Sequence, residues 1–314
     1  MSHQVRPPLL VVEPNLSGHR IEYVLHLLRY AQEVGVECAL LTSAHALEAI
    51  VKDSSIEGEI TRSAVVADRR EMRTISGIRA IARDLSAREI VVPDADRIVY
   101  ESSIQPSSRM DLRARLLLMR SPYLTTSGNL LRDKLKKLLV ASAEGRDGIS
   151  THHLAHLGAA TRPGLRLVPD PLVWNPLLER WPPDLDLGGA DYWFAVLGGI
   201  DARKNLPVVA EAIALSEVPK CGLLVAGQIR PTGQAATLAA KSLLESASIP
   251  IRIVDRHLET SELDTIIKNV DCVVLAHSNE GSSGLLLKAI ASGTRFVTAG
   301  SRTLHEVADY AGGQ

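Results

Sequence analysis

The fold is decided by the stretch YWFAVLGGIDARKNLPVVAEAIAL, residues 192–215. Its apolar start, Tyr192–Leu197, predicts a buried strand, because a short apolar run bounded by turn residues is typical of parallel sheets. Gly198 and Gly199 interrupt the run, and residues 206–215 are predicted to form a helix. A strand, a glycine-containing loop and a helix in this order form the repeating unit of a parallel sheet.

The same unit recurs through the rest of the second half. Strands are predicted at residues 192–197, 222–226, 251–254, 272–276 and 295–298, and helices at 206–215, 234–245, 261–269, 285–291 and 304–310. Strict alternation of this kind implies right-handed crossovers and a parallel sheet that helices cover on both faces.

The first half follows a looser version of the pattern. Strands are predicted at residues 9–12, 36–42, 64–66, 89–93, 116–119 and 165–168, and helices at 19–33, 44–52, 70–84 and 130–143. Five prolines between Pro169 and Pro183, followed by Gly188 and Gly189, indicate an interdomain linker. The sequence therefore predicts an α/β protein with two Rossmann-like domains facing across a cleft, at residues 1–172 and 190–314, joined by a linker at 173–189.

Composition excludes several classes of protein. The 314 residues carry a formal net charge of -1, which removes the electrostatic attraction that nucleic-acid binders show. The three cysteines, Cys38, Cys221 and Cys272, are odd in number and far apart, so neither a disulfide framework nor a zinc cluster is expected. Aliphatic runs reach only four residues, and we expect a cytoplasmic protein without a signal peptide or membrane span.

Chemistry is expected where the strands of the second half end, because ligands bind beyond the carboxyl ends of parallel strands. The loops at residues 198–204, 227–230, 255–257 and 277–284 would share that edge. Each loop carries a basic residue or a histidine, among them Arg203, Lys204 and Arg256. The edge is therefore suited to anions and hydroxyl groups.

The run Glu280-Gly281-Ser282-Ser283-Gly284 opens a predicted helix. Small residues there let a ligand approach free backbone N–H groups, and the helix dipole favours a phosphate. Arg203 and Lys204 would add positive charge, while Glu280, which can only accept hydrogen bonds when ionised, suits a sugar hydroxyl. An ordinary helix start with a glycine-rich turn would look the same, but the Arg-Lys pair favours the functional interpretation.

These segments carry a resemblance to a known family. Residues 199–206, 224–227, 271–275, 278–285 and 288–293, in this order, resemble the donor domain of the retaining group 1 glycosyltransferases of GT-B fold. The resemblance covers most of the chain from Trp193 to Val307. The first domain resembles the family more loosely, through Gly18-His19-Arg20 and Val168-Pro169-Asp170-Pro171.

The resemblance implies retaining transfer of a sugar from a UDP- or GDP-linked donor to a glycan or lipid-linked acceptor, with no metal and no other cofactor. It assigns the grip on the donor pyrophosphate to Lys204 and the hold on the transferred sugar to Glu280. The family's earlier arginine falls on Gly199, which leaves Arg203 as its candidate substitute. Its second glutamate falls on Lys288, at the ribose side, where an ammonium can only donate hydrogen bonds.

Further residues complete the predicted site. Gly199, Arg256, Gly281, Ser282, Ser283, Gly284 and Lys288 are expected on the donor side, and Gly18 and His19 on the acceptor or phosphate side. The first domain's usual histidine has no clear match. The family's domain continues beyond the last helix predicted here, whereas this chain stops at Gln314, so its C-terminal end is expected to be short.

Two other interpretations stay open. Lys288, the unmatched histidine and the short end favour a catalytically degenerate GT-B protein that binds a nucleotide or a partner chain. A sugar-nucleotide epimerase of the same fold would present a similar phosphate site. Donor hydrolysis or transfer against a panel of sugar nucleotides would separate these two interpretations from the glycosyltransferase.

One segment suggests a lipid surface. Residues 109–137, from Arg109 to Lys137, contain eight basic and two acidic residues, and the helix predicted there mixes leucines with cations. Such a helix could lie on anionic lipid and give peripheral contact at the inner membrane face. The favoured interpretation is a core-packed helix whose charged face is solvated.

Overall fold

The computed structural model describes residues 9–16, 19–50, 63–104, 112–124, 130–158, 163–172, 181–281 and 283–312, with the side chains of residues 19, 49 and 50 left out. The chain divides into two compact units. The first comprises the residues up to Pro171 apart from His156–Gly158, and the second comprises those three residues and the chain from Leu172 onward.

The first unit is built on a seven-stranded parallel sheet. Its strands are β1 (Leu9–Val12), β2 (Cys38–Thr42), β3 (Ala64–Val66), β4 (Glu89–Val92), β5 (Arg113–Leu118), β6 (Ile149–Ala155) and β7 (Leu167–Pro169). They lie in the order β3-β2-β1-β4-β5-β6-β7, with Leu10 opposite Ala39 on one side and Ile90 on the other. The order turns between β1 and β4, which makes that pair the switch point of the sheet.

In the described part of this unit, five helices cover the sheet, namely α1 (His19–Glu33), α2 (Ala44–Ile50), α3 (Ile75–Asp84), α4 (Ile98–Ile104) and α5 (Leu130–Glu144). One core contains Leu10, Ile90 and Leu116, and a second core on α1 contains Val11 and Leu40. Neighbouring strand residues thus serve opposite cores, as the two-residue period of a strand requires.

The predictions for this unit are correct in class and incomplete in detail. The parallel sheet is confirmed, but β6 and α4 were not predicted, β5 begins three residues before the predicted strand, and the helix predicted at residues 70–84 is interrupted. There a 3₁₀ turn at Glu71–Arg73 ends at Thr74, whose side chain accepts a hydrogen bond from Gly77 N and caps α3. The helix predicted at 44–52 ends, in the described residues, at Ile50.

The second unit has a five-stranded parallel sheet, as predicted. Its strands are β8 (Tyr192–Leu197), β9 (Cys221–Ala226), β10 (Ile251–Val254), β11 (Cys272–Ala276) and β12 (Arg295–Ala299), in the order β10-β9-β8-β11-β12. Five helices alternate with them, namely α6 (Leu206–Ala214), α7 (Pro231–Ser246), α8 (Thr260–Asn269), α9 (Gly284–Ser292) and α10 (Arg302–Tyr310). Each bound lies within three residues of its prediction.

The two faces of this sheet hold separate cores. Leu197, Leu224 and Leu275 pack with α8 and α9, while Val196 and Val225 pack with α6 and α7. All three cysteines are free thiols. Within the described residues, no helix combines the length and apolar character that crossing a membrane requires.

Candidate functional site

The candidate site lies at the carboxyl edge of the second sheet. The strand order turns between β8 and β11, so the loops that follow these two strands flank the switch point. Two hydrogen bonds tie the loops together, from Asn205 Nδ2 to Ala276 O at 2.7 Å and from Ser278 N to Arg203 O at 3.1 Å. The loop after β8 also reaches the first turn of α9, because a Cβ on Gly198 would lie 3.4 Å from Leu285 Cδ1.

Asp201 organises the cations of the loop after β8. Its carboxylate accepts hydrogen bonds from Arg203 N at 3.1 Å and from Arg203 Nη2 at 2.7 Å, so it caps the 3₁₀ turn Ala202–Lys204 and holds the guanidinium. Burial raises the pKa of Asp201, but the bonds from Arg203 outweigh that effect and leave the pKa lowered. The half-exposed guanidinium is therefore fixed at the edge of the sheet.

Lys204 is almost buried, with 9% of its surface exposed, and its Nζ lies 2.8 Å from His277 Nε2. Burial lowers the pKa of Lys204 to about 8. Burial, reinforced by the positive charge of Lys204, also lowers the pKa of His277 to about 3. Near pH 7 the neutral imidazole therefore accepts a hydrogen bond from the ammonium, and His277 holds Lys204 in place.

Arg230 is a cation that the sequence interpretation did not include among the site residues. Its Nη1 lies 3.8 Å from Asp201 Oδ2, and a Cβ placed on Gly199 would lie 3.4 Å from its Nη2. The guanidinium thus occupies the space into which a side chain at position 199 would grow. In the sequence, only its position in the loop after β9 indicated that Arg230 could belong to the site.

Glycine is required where the loops meet. At Gly227, φ is +132° and a Cβ would lie 2.0 Å from Gly198 O, which forbids any side chain. At Gly233, in the first turn of α7, a Cβ would lie 2.5 Å from Ile200 O. Because both residues lack a side chain, their segments pack directly against the backbone of the loop that carries Arg203 and Lys204.

Glu280 anchors the start of α10. Its Oε1 accepts a hydrogen bond from Arg302 N at 2.9 Å, and its Oε2 accepts from Ser301 Oγ at 3.1 Å and from Thr303 N and Oγ1 at 2.9 and 2.8 Å. Burial raises the pKa of Glu280, but these bonds dominate and hold the pKa below its usual value. Oε1 carries one of the four bonds, which leaves it room for one more donor.

The first turn of α9 is open. Apart from adjoining residues, no atom of the described part of the chain lies within 4 Å of a Cβ placed on Gly281 or Gly284. Ser283 is the N-cap residue, and its side chain makes no capping hydrogen bond. The first N–H groups of α9 therefore have no side-chain cap from Ser283, the state in which a helix terminus accepts an anion. Ser282 lies outside the described residues.

Lys288, predicted on the ribose side of the donor, pairs with a carboxylate inside the protein. Its Nζ is 2.6 Å from Asp264 Oδ1 on α8, and both side chains are buried, Lys288 with 3% of its surface exposed. Burial raises the pKa of Asp264, and the Lys288 ammonium opposes that rise. The structure thus places Lys288 in an ion pair between two helices.

Arg256 is also engaged within the protein. Its guanidinium makes bidentate contacts with Asp184 and with Glu262, and Nη1 also donates to His257 O at 3.0 Å. These contacts use all five N–H groups and raise the pKa of Arg256. The residue joins Asp184, which precedes β8, to Glu262 on α8, and contact with a donor would require one of these bonds to break.

The carboxyl edge of the first sheet contains a residue that sequence reasoning missed. Glu13 follows β1 and is buried; its Oε1 accepts from Asn15 N at 3.0 Å, and its Oε2 has no hydrogen-bond partner among the described residues. Burial raises its pKa to about 8 although Arg20 lies nearby. Arg20 itself lies 2.5 Å from Asp94, which follows β4. Gly18 and the side chain of His19 are outside the described residues.

Sequence comparisons identify no relatives: no protein-family model matches the chain, and neither does any curated protein sequence. Solved structures do match. HepE from Anabaena, solved with UDP, is 10% identical with a TM-score of 0.65, and the alignment covers 98% of this chain and 89% of HepE. Sucrose-phosphate synthase from Thermosynechococcus elongatus is 14% identical with a TM-score of 0.63, over 93% of this chain and 81% of that one.

A third match is a UDP-forming α,α-trehalose-phosphate synthase from Burkholderia xenovorans, 11% identical with a TM-score of 0.53, over 97% of this chain and 89% of that one. At these identities the similarity concerns the fold. Together with the seven- and five-stranded parallel sheets, it shows that this chain has the GT-B fold.

Proposed function

We propose that this protein is a glycosyltransferase that moves a sugar from a nucleoside-diphosphate sugar to an acceptor with retention of configuration. The observation that carries the proposal is the cation cluster at the switch point of the second sheet. Arg203, Lys204 and Arg230 come from two loops, and one of those loops lies against the uncapped first turn of α9. This combination suits a diphosphate.

Each group would have a defined part in the reaction. The bond between the anomeric carbon and the phosphate oxygen would break as the anomeric carbon bonds to a hydroxyl oxygen of the acceptor. Negative charge would build on the leaving diphosphate, which would take up the proton of that hydroxyl. The ammonium of Lys204, fixed by His277, and the guanidinium groups of Arg203 and Arg230 would neutralise that charge. Arg230 takes the place of the family's arginine at Gly199, and no metal ion is needed for this step.

The sugar would lie beside Glu280. Its Oε1 has room for one further hydrogen bond, which a sugar hydroxyl would donate. The lowered pKa keeps the carboxylate ionised and therefore an acceptor. The first unit would hold the glycan or lipid-linked acceptor near Gly18, His19 and Glu13.

The known structures suggest which donor to test first. HepE was solved with UDP, and the trehalose-phosphate synthase is described as UDP-forming. We therefore propose a uridine diphosphate sugar as the first candidate donor, with a guanosine diphosphate sugar as the second.

One observation favours a second candidate, a degenerate GT-B protein that binds nucleotide without turnover. Lys288 stands where the family has its ribose-binding carboxylate, and its ammonium is paired with Asp264. The position therefore supplies no acceptor for ribose hydroxyls. Diphosphate binding without hydrolysis or transfer across a panel of sugar nucleotides would favour this candidate.

Calorimetric titration with UDP and GDP tests the site. Lys204→Ala is expected to weaken diphosphate binding by about ten- to a hundredfold. This corresponds to the loss of one charge-assisted hydrogen bond, which contributes about 1.5–3 kcal/mol. Lys241→Ala removes an exposed lysine on α7 and serves as the matched control without effect. Lys288→Ala is expected to leave affinity almost unchanged in the folded protein.

A transfer assay on the same proteins tests the reaction, and the anomeric configuration of the product tests retention. Equal losses for Lys204→Ala and Lys288→Ala, or no loss for Lys204→Ala, would show that the phosphates bind elsewhere. Conversion of a donor into its epimer would instead identify an epimerase.

A further inference from the structure

Helix α5 presents its most apolar side chains to solvent. Leu130, Leu131, Leu135 and Leu138 are 57 to 82% exposed, while the inward side of the same helix carries Asp133, Val140 and Ala143. A helix on a globular protein normally has the opposite arrangement, with leucine inward and polar residues outward. The sequence favoured a core-packed helix with a solvated charged face, and the exposed leucines differ from that expectation.

The exposed leucines form one continuous stripe. Leu131, Leu135 and Leu138 are separated by four and three residues, so they lie on the same side of the helix. The helix itself is fixed to its unit. Ser142 Oγ donates to Ser103 O on α4 at 3.3 Å, and Arg146 Nη2 donates to the same carbonyl at 2.5 Å.

Positive charge borders the stripe on both sides. At 3.6 residues per turn, Lys134 and Lys137 lie along one edge and Arg132 along the other. Asp133, the acidic residue nearest to the stripe in sequence, is buried. An apolar face bordered by cations is the arrangement of helices that lie in the interface of an anionic membrane.

We propose that the outer face of α5, formed by Leu131, Leu135 and Leu138 with its three bordering cations, docks on an anionic lipid surface. The leucines would enter the acyl boundary, and the cations would extend to the headgroups. A second copy of this chain fits less well, because it would bring the same cations against each other. The inference does not depend on the proposed donor site, which lies in the other unit.

Co-sedimentation of the whole protein with lipid vesicles tests the proposal. Phosphatidylcholine vesicles that contain phosphatidylglycerol are expected to bind the protein, and pure phosphatidylcholine vesicles much less. Changing Leu131, Leu135 and Leu138 together to Gln should weaken binding by at least about tenfold. Lys134→Gln should weaken it by about fivefold and make it less sensitive to salt.

The chain offers a matched control. Leu238 is a similarly exposed leucine on α7 of the second unit, and Leu238→Gln should leave vesicle binding unchanged. Because the changed leucines are exposed, the triple variant should melt at the wild-type temperature, which thermal unfolding verifies. Diphosphate titration of the same variant should give the wild-type affinity.

Three results would overturn the proposal. The wild-type protein could fail to bind anionic vesicles, or the triple variant could bind as tightly as wild type. Alternatively, sedimentation velocity could show a wild-type dimer that the triple variant abolishes, in which case the face joins two copies of the chain.

Discussion

Replacing Lys288 by alanine is expected to destabilise the second unit by about 3–4 kcal/mol near pH 7. The ammonium lies 2.6 Å from Asp264 Oδ1, and both side chains are buried. Breaking a buried ion pair on one side costs about 3–5 kcal/mol, because the remaining charge is left without a partner. The carboxyl can avoid that penalty by protonation, which from a reference pKa of 3.8 costs about 4 kcal/mol near pH 7.

The loss should depend on pH in a defined direction. Without Lys288, burial holds the pKa of folded Asp264 above its unfolded value, so the folded state binds the extra proton. The variant's stability is then fully retained below the unfolded pKa and falls as pH rises toward the folded pKa. The difference from wild type should therefore be small near pH 4 and largest near pH 7.

Urea unfolding followed by tryptophan fluorescence measures the effect, because Trp193 is a buried residue of the second unit. Lys241→Ala breaks the exposed pair with Glu245 on α7 and should cost less than about 1 kcal/mol. The double change Lys288→Met with Asp264→Leu removes both charges and should recover most of the loss. A loss below about 1 kcal/mol for Lys288→Ala, or one that does not vary with pH, would refute the buried pair.

Three further predictions concern other parts of the protein. Glu13→Gln should stabilise the first unit, and its stability advantage over wild type should grow by about 1.4 kcal/mol for each pH unit between about 4.5 and about 8. The reason is that only the unfolded wild-type chain releases the Glu13 proton in that range. Thermal unfolding near pH 5 and near pH 8 checks this. Glu280→Ala should cost about 1 kcal/mol in thermal unfolding, as the loss of a helix cap does, and an unchanged melting temperature would contradict its anchoring role. Gly233→Ala should lower the free energy of unfolding by about 1–3 kcal/mol, because the added Cβ would meet Ile200 O. Gly284→Ala, with open space around it, should lower it little. Equal melting temperatures for the two variants would contradict the close contact.

The class of fold could be predicted because its signal is local. Strands β8, β9 and β11 are apolar runs separated by helical segments, so the alternation could be seen in the sequence alone. Strand β6 carried no such signal, since its sequence ISTHHLA contains two histidines. His153 can be buried in β6 because Ser121 Oγ, 2.8 Å from its Nδ1, forms a hydrogen bond with the ring. That partner lies 32 residues away in the sequence, so a local sequence pattern does not reveal it.

For the candidate site, too, the sequence predicted the loop positions of the residues but not their contacts. The loop positions of Lys204 and Glu280 follow from the rule that parallel strands end at one edge. Their partners, His277 and the start of α10, depend on how the loops pack. The pairing of Lys288 with Asp264 was equally hidden, because a lysine on a helix usually reaches solvent.

Glu280 makes the start of α10 a reporter for the candidate sugar pocket. The same carboxylate accepts the backbone hydrogens of Arg302 and Thr303 and is the group offered to a sugar hydroxyl. A ligand that hydrogen-bonds to this carboxylate changes the free energy of opening the first turn of α10. By thermodynamic linkage, opening that turn changes the free energy of ligand binding by the same amount. Amide hydrogen exchange at these two positions would therefore register occupancy of the pocket by sugars that are bound without being transferred.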